Sequence, residues 1–418
     1  MTTATTASIR TPQRLLESIQ LGFFLVALCA GNFSVAIGQI ALGVTLLVGL
    51  TRWFLYREAL VKTGMERVTL ALIAWALLMI PFSADPGQSV VFAKRFFLFA
   101  ALWLGAGLAV NEYRRRLMLG AMMLGAAGIS VIAIWQMYQA TGSLMANRLV
   151  QVSNAMTSGA MLMLVVLLAL GVLLNRSTGT KARLVVGAAL APIFLALLMT
   201  MTRSALLGLM VGVAVMLLVA HRRWFLIFAT CLVLLAAGVV MFGEEVLSPR
   251  AWSRISPESL VSGGNTTGRL EMWRVGWQMI QAEPITGVGD CDLLAVAPQY
   301  YGDRQPVPFG HLHSNFVHLA VIWGIPGFIL AMVFLGNQPR LLWGRWRRDL
   351  GGNNNETPWH SGWVLGALGM WAGFFVAGLT EWYFGDAEPM LLFMAILGVA
   401  LGRQLPAPSD RGTGEPNV

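Results

Sequence analysis

Long apolar runs, broken only by short polar connections, follow one another from near the start of this chain almost to its end. That succession leaves few folds open. In hydrocarbon every backbone N–H and C=O must be paired within the structure, so only helices and closed barrels can span. Barrel strands alternate with a period of two, and these runs are continuously apolar instead. Only 12% of the 418 residues are charged and 56% are hydrophobic, against about 25% charged in an ordinary soluble domain; the mean hydropathy is +0.67. The chain therefore reads as an all-α integral membrane protein.

A spanning helix needs about 20 mostly apolar residues, which gives about 12 transmembrane helices here. They are expected near residues 15–31, 35–52, 67–82, 90–110, 117–139, 156–174, 182–199, 204–220, 224–242, 313–335, 361–379 and 388–402. The first run lacks a convincing small-residue cleavage site, and another run follows it closely, so it reads as a retained span rather than a signal peptide. The expected organisation is residues 1–242 for the first group of helices, 243–312 for a large loop, 313–402 for the last helices and 403–418 for a polar tail without structure.

The formal net charge of +9 does not point to nucleic acid, because its distribution follows the connections. Arg10 and Arg14 precede the first span, and Arg52, Arg57, Lys62 and Arg67 fill the second connection. Arg114, Arg115 and Arg116 lie in the fourth, Arg176, Lys181 and Arg183 in the sixth, and Arg222 and Arg223 in the eighth. Arg340, Arg345, Arg347 and Arg348 crowd the tenth, and Arg403 follows the last span. Alternate connections are thus basic, which places both termini in the cytoplasm. Cys29 and Cys231 lie inside spans and Cys291 is alone in a loop, so no disulfide framework is implied.

Most outward connections are short, but the one from about Gly243 to Leu312 is long, and such loops are usually functional. In it Met272, Trp273, Gly276, Trp277 and Ile280 fall on one helical stripe that Glu283-Pro284 ends. The two tryptophans suit an amphipathic helix at the membrane interface. Ile285 to Asp290 reads as a tight turn. No internal repeat is evident, and with it no inverted-repeat transporter signature.

Removing the basic residues of the cytoplasmic side leaves Lys94, Arg95, Arg148, Arg203, Arg250, Arg254, Arg269, Arg274 and Arg304 facing outward. Snorkelling or ion pairing suffices for Arg250, Arg254, Arg274 and Arg304. Arg203 has almost no loop through which to reach water, which favours a bound anion. Lys94, Arg95 and Arg148 stand between the two readings. Arg269 is expected to open the loop helix, where its side chain and the terminal N–H groups could share one phosphate.

His311, His313 and His318 gather at the start of the tenth span, whereas His221 and His360 lie on basic connections. His-x-His on a helix points its rings about 200° apart, and no carboxylate or thiolate cluster completes a site, so no metal is expected. A lone imidazole is best suited to general base work, and His313, closest to the Ser314-Asn315 helix start, is the candidate. His318 is the residue of the three that packs. Among the outward acids Asp85, Glu381, Asp386 and Glu388, a carboxylate could orient an imidazole or bind an acceptor hydroxyl. The alternative for Thr380 to Asp386 is an interfacial Trp-Tyr belt with solvated acids.

Arg203 between spans, an outward loop carrying Gly268-Arg269-Leu270-Glu271-Met272-Trp273, and His311-Leu312-His313-Ser314-Asn315 at its exit together resemble the O-antigen ligase family of lipopolysaccharide assembly. That family lies within the broader O-antigen ligase and polymerase superfamily. In topology the resemblance covers nearly the whole chain, while its motifs occupy residues 199–205, 263–290 and 310–327. It implies a GT-C-type glycosyltransferase in the bacterial inner membrane, active at the periplasmic face, without metal or nucleotide cofactor. Its implied partners are O antigen linked to undecaprenyl diphosphate as donor, lipid A–core as acceptor and membrane lipid. It also implies that Arg203 and Arg269 hold the diphosphate and that His313 is catalytic.

Lys94, Arg95 and Arg148 are expected as further diphosphate contacts, and His311, Asn315 and Glu381 as groups that orient the base or meet the acceptor. An O-antigen polymerase, a protein O-oligosaccharyltransferase and, more distantly, an anion or lipid transporter are the competing readings.

Overall fold

With no water to satisfy its backbone, an apolar run closes its hydrogen bonds on itself. In the computed structural model the described residues do so as helices, and no strand occurs among them. The structure describes residues 2–58, 61–143, 148–151, 154–175, 178–246, 252, 256, 264–302, 308–351 and 358–402. In chain order the helices are α1 (Thr2–Ala30), α2 (Val35–Tyr56), α3 (Glu66–Leu78), α4 (Pro86–Ala93), α5 (Ala100–Leu108), α6 (Glu112–Thr141), α7 (Ala155–Leu174), α8 (Thr180–Met199), α9 (Arg203–Ala220) and α10 (Arg222–Val246). The series continues with α11 (Gly264–Ala282), α12 (Leu293–Val296), α13 (Asn315–Gly351), α14 (Pro358–Ala377) and α15 (Ala387–Leu401). The expected tail 403–418 lies outside the described residues.

Among the described residues 9 segments are long and apolar enough to cross a membrane, fewer than the about 12 expected from hydropathy alone. The remaining three expected spans fall short for separate reasons. The first is broken by Pro81, leaving α3 with 13 residues and a 3₁₀ turn Ile80–Phe82. Polar residues at the start of α14 and its several glycines lower its hydropathy, although it has 20 residues. The last, α15, has 15 residues.

The expected span 90–110 also begins earlier, at Pro86, and runs to Leu108 as α4, a 3₁₀ stretch Lys94–Phe99 and α5. Lys94 and Arg95 therefore sit at its 3₁₀ interruption.

At the centre lies α7, 83% of whose apolar window is buried. It packs against α9 and α14, and those two helices meet each other backbone to backbone. A Cβ on Gly208 would stand 2.6 Å from the Gly373 carbonyl, and one on Gly212 2.6 Å from that of Gly369. Small residues at helix crossings supply the close van der Waals packing that replaces the hydrophobic effect inside a bilayer. α15 is buried from Glu388 to Leu401.

α13 is bent at Gly324, whose φ of 66° and ψ of −178° suit glycine alone. The turn after α11 docks into that bend: Ile325 N–H donates to the Pro284 carbonyl (2.8 Å) and Val288 N–H to that of Val321 (2.9 Å). The tight turn expected at Ile285 to Asp290 is present, with Gly287 and Gly289 at φ of 67° and 92°.

The two ends of α14 separate two sets of charges. At its start, Trp359 N–H (2.8 Å) and His360 N–H (3.3 Å) donate to the Glu112 carboxylate, which Arg115 also meets at 3.3 Å. Asp349, late in α13, lies 3.0 Å from His360 Nδ1. At its end, the Gly378 carbonyl accepts from Asn315 N–H, the first residue of α13 (2.7 Å). A helix of this length is about 30 Å long. The basic connections at Arg114–116 and Arg340–348 thus lie at one end of the bundle, and Asn315 and its neighbours at the other.

Candidate active site

The loop between α14 and α15 is fastened to the start of α13 by one side chain. Asn315 is 1% exposed, and its Oδ1 accepts from Tyr383 N–H (2.8 Å) and Phe384 N–H (3.0 Å). Its own N–H is shared between the carbonyls of Gly378 (2.7 Å) and Glu381 (3.1 Å). The role expected for Asn315, orienting or meeting an acceptor, resolves into holding this loop. Trp382, Tyr383 and Phe384 are 7%, 1% and 2% exposed, so the segment is a packed core element and not the interfacial aromatic belt considered from sequence.

Fixing the loop places Glu381, itself 4% exposed, between two of the expected residues. One carboxylate oxygen accepts from Arg269 Nη2, and the other lies 3.1 Å from His313 Nδ1. A buried carboxylate is tolerated where cations and hydrogen bonds satisfy both oxygens. His313 is in the left-handed region at φ 46°, which costs on the order of 1 kcal/mol even for a residue type enriched there. Ser314 follows it, and its hydroxyl accepts from Val317 N–H (3.4 Å), capping α13. His313 therefore precedes the helix and is aimed by the turn.

His311 lies edge-on to His313 with ring centroids 4.3 Å apart, and its Nδ1 accepts from His313 N–H (3.4 Å). Burial, with His313 and Arg269 adding to it against Glu381 and Asp292, pushes His311 down to about 4. His311 is thus a neutral acceptor at physiological pH. His318, as expected, packs: it is 3% exposed and edge-on to Trp382 at 4.1 Å.

Arg269 holds its position from inside a helix rather than at its start. α11 begins at Gly264, so the expected sharing of a phosphate between Arg269 and the helix-terminal N–H groups is not available. The buried face of α11 is also shifted. Val275 and Met279 are 1% and 0% exposed, while Trp277 of the expected stripe is 59% exposed. Trp273 donates to the Leu312 carbonyl (2.8 Å), tying α11 to the residue before His313.

Arg203 is the first residue of α9, as the apolar runs implied. It follows Met201 at φ 48°, and its neighbour Ser204 shares a hydrogen bond of 2.9 Å with the Tyr383 hydroxyl. The Arg203 turn is therefore anchored to the loop that carries Glu381. Arg148 reaches the same turn, donating to the Thr200 carbonyl (2.9 Å) and the Thr202 hydroxyl (3.0 Å). Two guanidinium groups at the positive end of α9 repel that end, typically by 0.3–1 kcal/mol each at exposed sites, a cost that a bound anion would reverse. Arg95 pairs with Asp290 at 3.3 Å and lies over Trp382 at 5.9 Å. Lys94 is exposed, with no hydrogen bond or ion pair to the described residues. Arg274 is exposed, and Arg250, Arg254 and Arg304 lie outside the described residues.

Sequence reasoning did not single out Asp290, Tyr383 or the pair Thr157–Asp386. Thr157 donates to Asp386 at 2.7 Å, and Asp386 is pushed up to about 6 by burial, with Glu388 and Glu381 adding to it. Their signal was present, since outward acids flank aromatic residues there, but a carboxylate's partner comes from contacts far apart in sequence. Among the described residues no group of three or more His, Cys, Asp or Glu is placed to hold a metal.

A protein-family model described as O-Antigen ligase matches residues 188–332, a segment that contains Arg203, Arg269, His311, His313 and Asn315. No curated protein matches the chain.

Proposed function

We propose that the chain is an O-antigen ligase-type family member, as the match over residues 188–332 supports, and that it transfers O-antigen polysaccharide from undecaprenyl diphosphate to lipid A–core at the periplasmic face of the bacterial inner membrane. The observation that carries this reading is Glu381 bound between Arg269 and His313, at the end of α14 opposite the basic connections. On this reading the bundle has about 12 transmembrane helices in a GT-C-type arrangement, with both termini cytoplasmic and residues 243–312 as the periplasmic subdomain.

The chemistry follows from the residues. A carboxylate can only accept, so Glu381 holds the Nδ1–H tautomer of His313 and leaves the Nε2 lone pair for an acceptor hydroxyl. As the hydroxyl oxygen bonds to the anomeric carbon, its proton passes to Nε2, and the bond to the diphosphate oxygen breaks with its electron pair. One displacement inverts the anomeric centre. Charge grows on the departing diphosphate, where Arg203 and Arg269, aided by Arg148, Arg95 and Lys94, stabilise it without a metal. General base catalysis of this kind is worth about 10²–10⁴ in rate. His311, neutral beside His313, keeps a second positive charge away from the base.

The same chemistry with a growing polysaccharide or a peptide as acceptor would make the protein an O-antigen polymerase or a protein O-oligosaccharyltransferase. A transporter is less consistent, because its cations should continue along a path through the membrane, and those named gather at one end. The test supplies purified protein in proteoliposomes with lipid-linked polysaccharide and either lipid A–core or a peptide. Glycosylated lipid A–core is the expected product. Transfer to the peptide alone would overturn the ligase assignment, and loss of transfer on adding a chelator would overturn metal independence.

A further inference from the structure

Arg95 is held in a manner that its burial does not justify. Its side chain is 13% exposed and that of its partner Asp290 is 10% exposed. A buried ion pair recovers its desolvation cost only when its geometry is excellent and its remaining donors are satisfied, as in a two-bond guanidinium–carboxylate fork. Here one contact of 3.3 Å joins Nη1 to Oδ2, out of line for a hydrogen bond, so Nη1 is buried without one. The guanidinium lies over Phe92 at 5.2 Å and Trp382 at 5.9 Å. Trp382 follows Glu381 and packs against His318, so Arg95 borders the His313 site on one side and Asp290 on the other.

Both partners stand on elements that can give way. Arg95 is in the 3₁₀ stretch between α4 and α5, and such interruptions often mark hinges. Asp290 ends the turn that docks into the bend of α13, with its carbonyl accepting from the Ser89 hydroxyl (2.9 Å). It also lines a cavity of about 10 Å³ together with Ser89, Phe96 and Trp323, a space on the order of one water molecule. Burial raises the Asp290 carboxyl despite Arg95, which is the behaviour of a carboxylate weakly compensated by its partner.

From this geometry we infer that Asp290 is a displaceable counter-ion: it holds Arg95 beside the site in the absence of substrate and yields it to the diphosphate of a polyprenyl-linked donor. The inference rests on the function proposed above and assigns to Asp290 a positioning role in donor affinity. Asp290 competes with the donor for one cation, and binding must first open the pair.

The experiment measures binding of undecaprenyl diphosphate to the full-length protein in nanodiscs, with no acceptor present. Asp290→Asn should bind about 3–10-fold more tightly, since a fold-change of ten corresponds to 1.4 kcal/mol. The gain should vanish when Arg95→Ala is combined with it, because Asp290 acts through Arg95. Unchanged or weaker binding by Asp290→Asn, or the same gain without Arg95, overturns the inference. Should Asp290→Asn not give folded protein, Asp290→Glu decides the matter. A longer carboxylate reaches Arg95 better and should weaken binding, and no weakening overturns the inference. If neither the wild type nor any variant binds, the proposed function fails instead, which separates the two outcomes.

Discussion

Replacing Glu381 by Gln changes one atom and should remove most of the activity. Arg269 only donates, so the single acceptor oxygen of the new amide must face it. The NH₂ group is then left facing His313 Nδ1 across the present 3.1 Å. That nitrogen must now accept, the ring proton moves to Nε2, and the base has no lone pair to offer the acceptor hydroxyl. The loss is therefore the whole general-base contribution, about 10²–10⁴ in kcat. Donor affinity should not fall, because Arg269 is released from a full carboxylate charge. Glu381→Asp keeps the charge but retracts it by one methylene, so its loss should be smaller. The assay is transfer in proteoliposomes with both substrates varied, alongside thermal unfolding to confirm that each variant is folded. A kcat for Glu381→Gln within a few-fold of wild type, or a loss confined to KM, would refute the orienting role.

Three further outcomes are expected. Arg203→Ala and Arg269→Ala should weaken donor binding and cut kcat by about 10²-fold or more, while inserting normally, as scored by membrane fractionation and initial rates. Asp386 is raised from 3.8 to about 6, so between those values the folded chain keeps a proton that the unfolded chain has lost. Stability thus falls as pH rises through that window, by about 3 kcal/mol in full above it; Asp386→Asn, which can still accept from Thr157, should raise the unfolding temperature at pH 8 and hardly at pH 4. Gly324→Ala forces a left-handed φ of 66° on a residue with a side chain, directed at the Ile285 carbonyl. It should cost about 1–3 kcal/mol and lower activity through the displaced start of α13, both read in parallel by unfolding and transfer.

Much of this arrangement can be read from the chain because hydrocarbon enforces it. Apolar runs give helices, alternation of basic connections gives two ends, and the misplaced Arg203, Arg269 and His313 mark one of them. What escapes is what depends on contacts distant in sequence. Glu381 meets Arg269 across 112 positions and His313 across 68, and nothing local distinguishes it from Asp386 or Glu388. The hydropathy windows and the long apolar helices differ at three spans, because Pro81 follows an α3 of only 13 residues, α15 has 15, and polar residues and glycines lower the apolarity of α14. They place the start of α11 wrongly because the polar residues from Gly264 to Thr267 carry no apolar stripe, yet are helical. Of the left-handed residues that aim the two motifs, Met201 has no signature in residue type, and His313 has only the general enrichment of histidine in that region.

The central claim is that the imidazole at the start of α13 drives glycosyl transfer from a lipid diphosphate. It is tested most directly by following release of undecaprenyl diphosphate together with glycosylation of lipid A–core by wild-type and His313→Ala protein under single-turnover conditions. The account predicts coupled release and transfer by the wild type, with both at least about 10²-fold slower in the variant and donor still bound. Transfer by His313→Ala at the wild-type rate would contradict it.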